Sequence, residues 1–264
     1  MYDFTYTRVN SAADAATKLK ADDEAKIVAG GMTLIPTLKL RLAKPTALID
    51  LGGAKDLVGI KVDGKSVTVG AMTTHGAVAA SAEVKKAIPA LAHLAAHIGD
   101  PAVRNRGTIG GSVANNDPAA DYPAGVLALG ATIVTNERQI AADDFFKGMF
   151  ETALNPGEII TAVSFPVPEK AAYMKFPNPA SRYAMVGVFV AKTASGVRVA
   201  VTGAAPSVFR QKDMEAALAR KWAPESVEGI KQKPDGLNSD IHGSAEYRAH
   251  LVTVMAKRAV QAAG

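Results

Sequence analysis

The chain contains no cysteine. Thiolates are the ligands of iron–sulfur clusters and of most structural zinc sites, and they form disulfides and act as nucleophiles, so this chain by itself supports none of these chemistries. Aromatic residues are also scarce, at 6%, too few for a base-stacking platform. Lys and Arg outnumber Asp and Glu by 30 to 25, but the cations are interleaved with acids and basic patches such as Lys231 and Lys233 are short. No nucleic-acid partner is expected from that pattern. No run approaches the ~18 consecutive apolar residues of a membrane span, and Met1-Tyr2-Asp3-Phe4 has no signal-peptide character. A cytoplasmic location without a membrane span is the expectation. A metal site is not expected either: His93 and His97 are four apart, but Leu94 stands where a zinc helix of the His-Glu-x-x-His type carries Glu. His75 reads as a helix-surface histidine or a satisfied core one.

What is present is the composition of a folded globular protein, 48% apolar and 21% charged over 264 residues. That length corresponds to one or two domains at ~150 residues each. Helical periodicity covers residues 12–19 and 34–42, the second with Leu34, Leu38 and Leu42 on one face and Pro45 as its stop. Short strands are predicted over 26–29 and 47–51. Asp63-Gly64 is the turn of a hairpin between 58–62 and 66–71. Further helices are predicted over 74–80, 89–98, 123–129, 213–219 and 245–262, and strands over 131–135, 159–165, 173–176, 186–192 and 198–202. Pro166 and Pro168 close the strand at 159–165 and divide the chain into residues 1–166 and 167–264. The strands-then-helices order of the second part indicates an α+β layer.

Two Gly-Gly segments carry the chemistry. In the first, a strand runs into Ala29-Gly30-Gly31-Met32-Thr33, with Thr33 placed to cap a helix that has Pro36 in its first turn. In the second, Thr108-Ile109-Gly110-Gly111-Ser112 brackets the glycines with hydroxyls and reads as a loop of the same kind. Paired glycines let a backbone approach a ligand and aim several N–H groups at it, which suits a phosphate. Neither segment is the Gly-x-Gly-x-x-Gly or the Gly-x4-Gly-Lys fingerprint, and each alone reads first as a plain turn. Two such loops facing each other would clamp a pyrophosphate through backbone and hydroxyl donors.

With these motifs the chain resembles the flavin-binding medium subunit of the molybdenum hydroxylases, the family of carbon monoxide dehydrogenase and xanthine dehydrogenase. The resemblance is carried by Ala29 to Thr33 with Leu34, Pro36 and Arg41; by Ile49-Asp50-Leu51; by Gly70-Ala-Met-Thr-Thr-His75; and by the long run from Arg104 through Thr108-Ile-Gly-Gly-Ser112 to Asp121-Tyr-Pro. It implies a two-subdomain FAD-binding domain of the vanillyl-alcohol-oxidase (PCMH) type, with subdomains at about 1–55 and 56–166. A C-terminal sheet-plus-helices domain of the CO dehydrogenase flavoprotein type follows.

Carried over position by position, the resemblance assigns cofactor binding to Ala29, Gly30, Gly31, Met32, Thr33 and Leu34, and to Thr108, Ile109, Gly110, Gly111 and Ser112. Asp121 matches an acidic residue placed on a cofactor hydroxyl or amide, although by itself it reads as the cap of the helix opening at Tyr122-Pro123. Ile98 corresponds to an apolar residue packed on the cofactor, Ile160 to a backbone partner of the flavin-ring or adenine region, and Lys175 to a lysine near the isoalloxazine; Tyr183 corresponds to a residue brought toward the flavin and reads equally as a half-buried strand tyrosine. Met32 stands where His or Gln is frequent in the family, and Ser112 where Asn is frequent. Arg104 and Arg106 would either neutralise diphosphate charge or face a partner subunit.

The implied function is electron transfer through a non-covalent FAD, with no catalytic residue and no metal on this chain. The molybdenum cofactor would sit on a large subunit and 2Fe-2S clusters on a small one, in a dimer of heterotrimers that delivers electrons to an external acceptor. A stand-alone FAD-dependent oxidase of the same domain type is the alternative, although residues 167–264 lack the His, Tyr and Arg cluster of a substrate cap. A scaffold with both Gly-Gly segments empty is a third reading.

Overall fold

The computed structural model describes residues 1–264. Alternating apolar residues build its central five-stranded antiparallel sheet, in the order Ile60–Val62, Ser66–Gly70, Ile160–Pro166, Thr132–Thr135, Gln139–Ala141. Val67, Val69, Ile133, Val163 and Phe165 point into one core with Leu91 and Leu94 of the helix Pro89–Ala96 and Val126 of the helix Tyr122–Ala128. Pro166 is the last residue of its strand, opposite Ser66, where a missing N–H is tolerated. The hairpin turns at Gly64 with φ 87°, as its Asp-Gly dipeptide predicts.

At the N-terminal side a three-stranded parallel sheet orders Thr5–Arg8, Ala47–Asp50, Lys26–Val28. The helix Ala12–Ala21 buries Ala12, Ala15 and Ala16 in the same core as Ile49, with Ser11 Oγ accepting from the N–H of Asp14 as its cap. On the C-terminal side a four-stranded antiparallel sheet orders Lys170–Pro177, Ala184–Thr193, Gly196–Thr202, Phe209–Arg210. Ala184–Thr193 is buried over its first eight residues because it is covered on both faces. Val186, Val188 and Val190 pack on Leu251, Val252 and Met255 of the helix Ala245–Ala263, while Phe189 and Ala191 join the central core. No helix is long and apolar enough to cross a membrane.

Several elements depart from the sequence reading, each for a local reason. Thr5–Arg8 has every residue exposed and so shows no alternation. The helix expected over 34–42 is Leu34–Lys39, because Arg41 turns left-handed at φ 58°. Thr33 makes no side-chain cap bond there. The helices Ala82–Ala87 and Pro101–Arg106 are too short to display a stripe. The second Gly-Gly segment is the first turn of a helix, Ile109–Asn115, rather than a loop, and Thr108 Oγ1 caps it by accepting from the N–H of Gly111 at 3.2 Å.

A buried carboxylate makes acid stability testable. Glu158 accepts from Arg138 Nε and Nη2 at 3.0 Å, from the Asn155 N–H at 2.8 Å and from Thr135 Oγ1 at 2.7 Å. Arg138 first, then these other donors, bring its pKa from 4.5 down to about 2. The folded state therefore gains stability above pH 4.5 and loses it as pH falls through about 2. In urea unfolding, Glu158→Gln should remove this acid-dependent part, on the order of 2 kcal/mol, and leave a flatter profile between those limits.

Candidate functional site

A cavity of about 530 Å³ is walled by residues from 26–34, by His75, by residues from 98–121, by Phe150 and by the turn 181–183. Its volume falls within the usual range for small-molecule and cofactor sites, roughly 300–1,000 Å³.

The two Gly-Gly segments touch each other in its wall. A Cβ on Gly30 would stand 2.2 Å from the Arg106 carbonyl oxygen and 2.8 Å from Gly107 Cα, so the first segment lies directly on the end of the helix Pro101–Arg106. Gly31 takes φ 75°, a left-handed turn that suits glycine. A Cβ on Gly111 would meet Ala29 Cβ at 3.7 Å. The seam is pinned further by the Thr74–Thr108 bridge and by the His75 N–H donating to the Gly107 carbonyl at 2.9 Å.

The segments offer unequal donors. The amides of Gly30, Gly31, Met32 and Thr33 donate to no other backbone group and to no side chain, and the Thr33 hydroxyl is likewise without a partner. In the second segment the amides are used within the fold: Ile109 on Thr73, Gly110 on Ala71, Gly111 on Thr108 Oγ1 and Ser112 on the Thr108 carbonyl. Ile109 and Gly110 point away from the cavity, and a Cβ on Gly110 would lie 2.6 Å from Ala71 Cβ. Thr108, Gly111 and Ser112 face it.

At the other end Asp121 makes no helix-cap bond. Instead, it accepts from Tyr173 Oη at 2.5 Å and from Lys175 Nζ at 3.0 Å, in an ion pair whose side chains are 5% and 4% exposed. Burial pushes the Asp121 pKa up, against the opposing pull of Lys175 and Tyr173. Lys175 also donates to the His97 carbonyl at 3.0 Å, so it stands behind Asp121 rather than in the cavity lining. Tyr183 lies in the turn before Ala184–Thr193 and lines the cavity; burial first, then Asp117 and Asp121, raise its pKa and keep its hydroxyl protonated.

Ile98 lines the wall beside Gly99, and Arg104 Nη1 donates to both of their carbonyls at 3.0 Å. Arg104 is thus a brace for the wall. Ile160 sits in the central sheet opposite Thr135, buried outside the cavity lining. Of the sixteen positions assigned by resemblance, Ile109, Gly110, Ile160 and Lys175 stay out of the lining and the others enter it. The sequence reading did not anticipate Phe150 and Arg182, whose φ values of 56° and 62° swing them to the cavity without any residue-type signal. Nor did it anticipate His75, which is buried with Nδ1 unpartnered and is neither a surface nor a satisfied histidine.

A family model described as the FAD binding domain in molybdopterin dehydrogenase matches residues 2–168, and one for the CO dehydrogenase flavoprotein C-terminal domain matches residues 171–263. The chain belongs to the flavoprotein subunits of the molybdenum hydroxylases. It is 38% identical to the nicotine 6-hydroxylase medium subunit of Paenarthrobacter nicotinovorans, over 98% of this chain and 96% of that one. It is 36% identical to the carbon monoxide dehydrogenase medium chain of Afipia carboxidovorans, with the same coverages of 98% and 96%. Among solved structures, the reconstituted CO dehydrogenase from Oligotropha carboxidovorans superposes with a TM-score of 0.89 at 35% identity, over 99% of this chain and 97% of that one. This molybdenum hydroxylase flavoprotein subunit has the α+β architecture of the family, a FAD-binding domain followed by the CO dehydrogenase-type C-terminal domain.

The residues of the cavity fit FAD. The amides of Gly30 to Thr33 and the Thr33 hydroxyl are unpartnered and belong to residues of the cavity lining, a set of donors that suits a diphosphate.

Proposed function

We propose that this subunit holds one non-covalent FAD in the cavity and relays electrons from 2Fe-2S clusters on a small subunit to an external acceptor. A molybdenum cofactor on a large subunit would feed those clusters, in a dimer of heterotrimers. The observation that carries the reading is the row of free N–H groups from Gly30 to Thr33 in the cavity wall. FAD, when bound, accepts electrons singly or in pairs and so matches one-electron clusters to a two-electron acceptor.

Everything else asked of the chain is binding and orientation. The amides of Gly30 to Thr33 donate to the diphosphate, and the hydroxyls of Thr33 and Ser112 add donors from the two sides of the seam. Met32 and Ser112, where the family more often has His or Gln and Asn, leave those main-chain donors in place. Asp121, held by Tyr173 and Lys175, presents a fixed acceptor to a cofactor hydroxyl or amide. Ile98 and Tyr183 supply packing surface at the flavin end. With no thiol on the chain, a cysteinyl thioether to the flavin is excluded.

Acid precipitation of the protein purified from its source should release intact FAD into the supernatant. Native mass spectrometry with metal analysis should find it with two other subunits, iron and molybdenum. A homo-oligomer that holds FAD without either metal and reduces it directly with a small organic substrate would overturn the relay in favour of a stand-alone oxidase. Flavin left attached to the precipitate would overturn the non-covalent assignment.

A further inference from the structure

His75 is 4% exposed, lies in the cavity wall, and has an Nδ1 that is buried without any hydrogen-bond partner. A bare buried nitrogen is destabilising, and a buried N–H without an acceptor is rarer than a lone pair without a donor. The favoured tautomer therefore leaves Nδ1 unprotonated and carries the hydrogen on Nε2. The surroundings of Nε2 show the same design. A Cβ on Gly107 would lie 2.6 Å from Nε2 and 2.8 Å from Cδ2. Gly107 has φ −60°, a conformation open to every residue, so its lack of a side chain serves the imidazole and not the backbone. Gly107 Cα is in turn 2.8 Å from where a Gly30 Cβ would be. The imidazole edge, Gly107 and Gly30 thus lie in sequence along the seam that ends at the free amides.

We propose that His75 Nε2–H is a further donor to the bound dinucleotide, taking an oxygen of the diphosphate that the amides of Gly30 to Thr33 hold. This rests on the FAD reading of the same cavity. The groups facing the imidazole are Arg104, from the helix Pro101–Arg106, and the Tyr122 ring, 5.3 Å away between centroids; Gly76 to Ala80 of its own helix carry no charge. Burial and then Arg104 lower the His75 pKa to about 4, so the ring is neutral at pH 7. An anion at Nε2 opposes both effects. Binding therefore raises the His75 pKa, and by linkage FAD affinity climbs as pH falls toward the raised value.

The test is FAD titration of the full chain, stripped of flavin, followed by flavin fluorescence in wild type, His75→Leu and His75→Gln. Leu matches the volume without a donor, while the Gln amide reaches the place of Nε2. His75→Leu should weaken FAD binding roughly tenfold to hundredfold without lowering the thermal midpoint of the apo chain, and His75→Gln should recover most of the loss. The His75 ring signal in NMR should titrate at higher pH with FAD than without. Equal affinity in all three chains, equal loss in Leu and Gln, or a ring pKa that FAD leaves in place overturns the role of His75 while the FAD reading stands. A wild-type chain that binds no FAD overturns both.

Discussion

A Gly30→Ala chain should purify without flavin. The new Cβ would lie 2.2 Å from the Arg106 carbonyl oxygen, 2.7 Å from its carbon and 2.8 Å from Gly107 Cα. All three are backbone atoms at the end of a helix, so no side chain can rotate away and the seam itself must open. Opening it displaces the free amides of Gly30 to Thr33 together, which is why one methyl group should remove nearly all retention.

Other glycines separate this effect from general damage. Gly111→Ala meets only Thr108 Oγ1 at 3.0 Å and Ala29 Cβ at 3.7 Å, so it should fold and lose affinity partially. Gly110→Val drives into the Ala71 backbone, 2.8 Å from its oxygen, and should fail by unfolding and not by touching the cofactor. Gly64→Ala, at φ 87° with nothing within 4 Å, should cost about 1 kcal/mol and keep its flavin. The ratio of flavin to protein absorbance, with urea midpoints beside it, reads the series. Stoichiometric FAD in Gly30→Ala would refute the seam as the binding element.

The second large effect belongs to Lys175. Lys175→Met should destabilise the fold by about 3–5 kcal/mol, the usual result of stripping one partner from a buried pair. Asp121 keeps its bond from Tyr173 but loses its only cation within 4 Å. Burial already pushes its carboxyl upward, so without Lys175 it takes up a proton more readily. The deficit of the variant relative to wild type should then shrink as pH falls. Asp121→Asn combined with Lys175→Met removes both charges and should recover much of the stability, though the bond to the His97 carbonyl stays lost. A double variant as unstable as the single one would show that the pair is not the source.

Much of this was legible in the residues. The Asp63-Gly64 hairpin, the helix near the C-terminus and the first Gly-Gly turn follow from turn chemistry and periodicity, which are local properties. The second Gly-Gly segment looks the same in sequence, yet Thr108 converts it into a helical turn and its amides are satisfied by Ala71 and Thr73, contacts that only the tertiary fold creates. Gly110 serves packing and Gly111 the cavity, a division no spacing rule announces. Asp121 shows the same limit. Its position before Tyr122-Pro123 reads as a helix cap, whereas its partners are 52 and 54 residues away on another sheet. The imidazole of His75 was invisible as a donor because its meaning depends on the empty side of Gly107.

The Asp121–Lys175 link has a consequence for how the molecule matures. It joins the wall of the cavity to a strand of the C-terminal sheet 54 residues further on, so the wall is complete only after these two parts of the chain have met. Closing such long loops is the slow, entropically opposed part of folding. Flavin therefore meets a chain that is already nearly native, and by binding that state alone it deepens it in proportion to the logarithm of its concentration. The purified chain should therefore resist protease longer with added flavin than without it.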